Sequence, residues 1–98
     1  MSDYKIAKRQ KDNADKLGLK IKPSTNKKKK LDVFDKDNKK IASIGASGYN
    51  DYTIYLKLLG PEKAEIKKIN YLKRHSKEPK FKDGKPTPSY LADKILWS

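Results

Sequence analysis

The sequence predicts an α+β fold: a small β-hairpin packed by two or three helices and preceded by a basic helical or extended N-terminal arm. Three observations carry this. Two short alternating apolar runs flank the turn-forming Lys36-Asp37-Asn38. Two helical runs meet at Gly60-Pro61. Charge is uneven: residues 1–30 hold 11 basic and 3 acidic side chains, residues 31–98 hold 14 and 9. The division into an arm (1–30) and a compact domain (31–98) follows from that asymmetry.

The arm opens with a helical stretch over residues 3–17. Ser2 or Asp3 suits its N-cap and Gly18 its C′ position. Its apolar residues are sparse, so the helix needs a partner surface and is expected to order only on binding. Pro23 blocks further helix, and Lys27, Lys28, Lys29 and Lys30 form a charge run.

The domain begins at Leu31. Residues 31–35 and 39–44 alternate as strands, with Leu31 and Val33 on one face and Ala42 and Ile44 joining them. Gly45-Ala46-Ser47-Gly48 makes a tight loop whose glycines suit positive φ. Asn50 or Asp51 caps a helix that ends at Leu59 before Gly60. Pro61 fits the first position of the next helix, which runs to about His75. Ile66, Ile69 and Leu72 form its expected inward stripe, flanked by Ala64 and Tyr71. Its last turn holds Lys73, Arg74 and His75, favourable at a helix C-terminus. Residues 76–88 read as a loop with three prolines. A last helix over residues 89–96 places Tyr90, Leu91, Ile95 and Trp97 where they close the core.

Composition excludes several classes. Hydrophobic residues are 35% of the 98, below the usual ~45–50%. The net charge is +13 and there is no cysteine, so disulfides, zinc fingers and thiol nucleophiles are excluded. One histidine cannot build a His-rich metal site. No apolar run approaches the ~20 residues of a membrane span, and residues 1–10 lack a signal-peptide core. No phosphate loop, nucleophile elbow or acid–base carboxylate pair is present. No catalytic residue, metal, cofactor or small-molecule substrate is expected, and a non-enzymatic binding or structural role follows.

Candidate binding residues fall into three groups. Lys27–Lys30 reads as a phosphate-contacting arm, a nuclear import signal or a solvated linker. Lys67, Lys68, Lys73 and Arg74 form the best anion-binding face on an ordered element, and equally a solvated helix face. Tyr49, Tyr52 and Trp97 read either as aromatic contacts for bases or partners, or as core rings. Asp51 reads as a cap rather than a catalytic acid.

Three segments taken in order carry a resemblance: Ile44-Gly45-Ala46-Ser47-Gly48-Tyr49-Asn50-Asp51-Tyr52-Thr53, Tyr71-Leu72-Lys73-Arg74-His75, and Tyr90-Leu91-Ala92-Asp93-Lys94-Ile95-Leu96-Trp97. Together they resemble an uncharacterised family of small basic proteins of nucleocytoplasmic large DNA viruses, algal and mimivirus-like giants among them. Relatives often have an arginine pair where this chain has Lys67-Lys68. The resemblance implies viral origin and a virion location, with host cytoplasm or nucleus during assembly, and it implies no activity. Combined with the charge, it gives two expectations: a minor capsid component set against acidic capsid protein or nucleic acid, or a nonspecific protein that coats viral DNA.

Overall fold

The computed structural model describes residues 4–98, and the expected cap residues Ser2 and Asp3 lie outside them. The elements run α1 (Lys8–Lys16), β1 (Lys20–Pro23), β2 (Lys29–Phe34), β3 (Lys40–Ala46), α2 (Tyr52–Leu59), α3 (Pro61–Arg74), β4 (Phe81–Lys82), β5 (Lys85–Pro86) and α4 (Pro88–Ile95). The α+β class is as the sequence predicts.

The hairpin forms around Asp35. Its Oδ1 accepts the Asp37 and Lys39 N–H groups, and Asn38 takes φ 63°. That Asx turn fixes an antiparallel register with Leu31 opposite Ile44 and Val33 opposite Ala42. Leu31, Val33 and Ile44 are buried. The alternate row is polar: Asp32 lies opposite Ser43. Helix α4 packs along β3, and α1 packs against α4 and β1. Leu91, Ile95 and Leu96 bring apolar bulk onto the sheet, each side chain contributing about 1.5–3 kcal/mol on burial.

The N-terminal third is built into this fold. Strand β1 pairs antiparallel with β2, and Ile21 lies opposite Val33. Ala14 is fully buried, and Ile6, Leu17, Leu19 and Ile21 pack on the core. Helix α1 ends in a Schellman motif: Leu19 N–H reaches Ala14 O and Gly18 N–H reaches Asp15 O, with Gly18 at φ 72°. The helix starts at Lys8, later than expected, because Gln10 Oε1 accepts the Ala7 N–H and sets the first turn there. The boundary expected at residue 31 therefore falls inside β2, and residues 8–30 supply a helix, an edge strand and core surface.

Two further expectations need correction. Ile66 and Ile69 are 57% and 44% exposed. Helix α3 instead turns Ala64 inward and stacks Tyr71 on Trp97, with ring centroids 4.2 Å apart. The segment read as a loop contains the two-residue hairpin of β4 and β5. Asp83 and Gly84, at φ 53° and 76°, form its turn.

Candidate functional site

Asp51 organises the site. As the sequence predicts, it caps α2: Oδ1 accepts the Ile54 N–H at 3.1 Å. Its other oxygen receives Lys30 Nζ at 3.0 Å, the Tyr4 hydroxyl and the Gln10 amide. Gln10 also donates to the Tyr4 oxygen, and Lys30 Nζ sits 5.1 Å from the centroid of the Tyr4 ring. Burial pushes the Tyr4 phenol up, and its hydrogen bond to the Asp51 carboxylate pushes it the same way. The phenol therefore stays protonated and keeps its role as donor.

Lys30 and Asp51 of this cluster line a cleft of about 620 Å³. Tyr49, Tyr55, Tyr71 and Trp97 line it as aromatics, and Lys30, Arg74 and His75 as basic side chains. The rings form a connected set. Tyr71 lies between Trp97 at 4.2 Å and His75 at 4.3 Å, and Tyr55 tilts against Trp97 at 6.0 Å. Burial raises the Tyr71 phenol to about 12, helped by Asp93 and Glu78 and opposed by Arg74. His75 closes α3 as its C-cap, and its Nδ1 lies 2.9 Å from Glu78 Oε1.

The proposed lysine run meets the cleft through the backbone. Ser47 N–H donates to Lys28 O at 2.9 Å, and Ser47 Oγ donates to Lys27 O at 2.6 Å. The turn carrying Lys27 and Lys28 is thereby fixed to the loop that carries Tyr49. Lys27 and Lys28 are exposed and Lys29 is half-buried. Lys30 differs: only 4% exposed and paired with Asp51, it is no surface contact. Strand β2 is buried on both faces from Lys30 to Val33, and on its own face Lys30 reaches Asp51 and the Tyr4 ring.

The other expected contacts divide likewise. Tyr49 is open, at 73% exposure. Tyr52 is buried, with Arg9 and Lys68 over its ring at 5.1 and 5.2 Å, so it is a core ring. Trp97 is buried too, yet it lines the cleft. Lys67 lies 5.7 Å from the Tyr55 ring centroid. Lys73 and Arg74 are exposed, and among the described residues the Arg74 side chain makes no hydrogen bond or ion pair. Tyr71 belongs to the cleft without having been singled out as a ligand contact in the sequence; its only signal there is aromatic character next to basic residues.

Among the described residues there is no group of three or more His, Cys, Asp or Glu side chains placed to hold a metal ion. Among them, no helix is long and apolar enough to cross a membrane. The site's chemistry is thus aromatic contact plus cationic charge at a concave surface.

Residues 19–55, from β1 into the first turn of α2, are similar to a family described as a family of unknown function, DUF5754. The matched stretch includes the sheet, the Lys30–Asp51 pair and Tyr49. No curated protein and no solved structure shows significant similarity to the chain.

Proposed function

We propose that this chain is a non-enzymatic nucleic-acid-binding protein without sequence preference, acting as a small basic component of a large DNA virus particle. One observation carries the binding reading. The open Tyr49 and the exposed Arg74, whose side chain has no hydrogen bond or ion pair among the described residues, line one cleft, and Ser47 fixes the exposed Lys27–Lys28 turn to the loop that carries Tyr49. Cations without acidic partners on an ordered surface attract phosphates, and lysine-rich contacts give affinity without reading bases. The net charge of +13 adds long-range attraction. The viral setting rests on the resemblance of the three sequence segments.

The test is DNA binding by the full chain across ~50–200 mM salt. Sub-micromolar binding at about 150 mM salt is expected, with log affinity falling linearly against log salt. The double variant Lys27→Ala/Lys28→Ala should weaken binding and lower the slope by about one per lysine. Binding that disappears at physiological salt rejects this reading.

A second reading, a minor capsid component seated on acidic capsid protein, is favoured by a different surface. Leu58, Leu59, Ile66 and Ile69 of the α2–α3 hairpin are all exposed. Ordered copies of the chain in the particle shell, with the hairpin against a shell subunit, are the outcome this reading requires.

A further inference from the structure

We propose that the Tyr49–Arg74 cleft captures one unpaired nucleotide of a single strand, which gives the protein a preference for single-stranded over duplex nucleic acid. This rests on the nucleic-acid reading above and specifies how one of its surfaces works.

Size permits it. The cleft, at about 620 Å³, falls within the ~300–1,000 Å³ of sites that enclose a small organic group. Its walls suit a base. Tyr49 is the one cleft tyrosine that is mostly open, and no other ring of the described residues packs on it. Its ring face is therefore open to stacking. The rings of Tyr55, Tyr71 and Trp97 hold one another in place before any ligand arrives, so their ordering costs nothing on binding. Stacking on such rings is indifferent to base identity, since every base has a π-face.

Charge then selects a nucleotide over a neutral aromatic. The buried Lys30–Asp51 pair neutralises itself and leaves the inner wall without net charge. The positive charge is on the rim, at Arg74, whose planar guanidinium matches a phosphate. Lys27 and Lys28 lie beyond the Tyr49 loop, where a mononucleotide held in the cleft leaves them unused and a continuing strand does not. A paired base inside a duplex cannot enter the cleft without unstacking.

The single tryptophan makes the idea directly measurable, because Trp97 is part of the cleft wall. Full-length protein is titrated with a short oligothymidylate, an abasic strand of equal length and charge, a duplex of the same length, and thymidine monophosphate. Anisotropy of labelled strands and Trp97 emission are followed together at about 150 mM salt. The oligothymidylate should bind about tenfold tighter than the abasic strand and quench Trp97 in step with binding. The abasic strand and the duplex should bind without quenching. Tyr49→Ala, at an exposed position that does not threaten folding, should remove most of that tenfold difference.

Equal affinity for the base-bearing and abasic strands, with Trp97 unquenched, overturns the cleft proposal and leaves the basic-surface reading standing. Absence of binding by all strands overturns both. A full quench by thymidine monophosphate at the same concentrations as the strand assigns the cleft to a free nucleotide and overturns the strand.

Discussion

Lys30 Nζ lies 3.0 Å from Asp51 Oδ2 with both side chains out of solvent, and this pair ties the central strand β2 to the first turn of α2. Removing two charges from water is costly. It is offset here because Asp51 also accepts from Tyr4, Gln10 and the Ile54 N–H, so its lone pairs are satisfied. Lys30→Met strands a buried carboxylate and should destabilise the protein by about 3–5 kcal/mol. The pair Lys30→Met/Asp51→Asn should recover much of that loss, because no uncompensated charge remains. Urea denaturation of the two variants checks both statements, and a single-variant loss below about 1 kcal/mol contradicts the buried-pair assignment.

Gly45 and Gly48 share a positive φ, at 78° and 86°, but not their surroundings. A Cβ on Gly45 would stand 2.8 Å from Leu96 Cδ1 and 3.1 Å from Lys30 Cδ, whereas one on Gly48 meets nothing within 4 Å. Gly48→Ala should cost only the left-handed backbone term, about 1–2 kcal/mol. Gly45→Ala adds a clash in the core and should cost about 2–4 kcal/mol. Equal denaturation midpoints for the two variants would show that the β3–α4 contact has room to give.

These residues also mark what the sequence reveals. Local chemistry was legible: Asp51 as a cap, Gly60-Pro61 as a helix junction, Asp37-Asn38 in a turn, and Leu31, Val33 and Ile44 as the inner face. Each depends on neighbours a few positions away. Lys30 was not legible, since its partner lies 21 residues on and its run-mates Lys27 and Lys28 are solvated. Strand β1 was hidden by lysines at alternate positions that suit an edge strand and a disordered linker equally. The rotation of α3 was misread because Ala64 and Tyr71 are a weaker apolar pattern than Ile66, Ile69 and Leu72. The Tyr71–Trp97 stack joins residues far apart in the sequence and leaves no local signal.

The integration of α1 and β1 gives a prediction about the free protein. Leu19 N–H is bonded to Ala14 O at 3.0 Å and Ser24 N–H to Lys30 O at 3.1 Å. Both amides should exchange slowly without any partner, on the scale of the β2 and β3 amides. A chain beginning at residue 31 loses β1, Lys30 and the Ala14 contact together, and should fail to unfold cooperatively. Fast exchange at both amides in the free chain would restore the picture of an arm that orders only on binding.

Asp32 makes the stability of the protein depend on pH. Burial alone would raise its carboxyl. Hydrogen bonds from Ser24 Oγ, Ser43 Oγ and the Thr25 N–H, with Lys40 at 3.4 Å, outweigh that and lower it from 3.8 to about 2. The folded state thus holds the proton more weakly than the unfolded chain. The resulting stability is fully present above about pH 4 and is lost as pH falls through about 2. Asp32→Asn keeps the shape but loses the charge-assisted bonds, so it should be about 2–3 kcal/mol less stable at neutral pH. The gap between wild type and variant should then shrink steadily from pH 4 to pH 2, as the wild-type carboxyl takes up its proton. Thermal melts of the two proteins across that range read the gap directly. A gap that stays constant from pH 5 to pH 2 means that Asp32 is held by shape and neutral hydrogen bonds, and the Ser24–Asp32–Ser43 bridge between strands is not electrostatic.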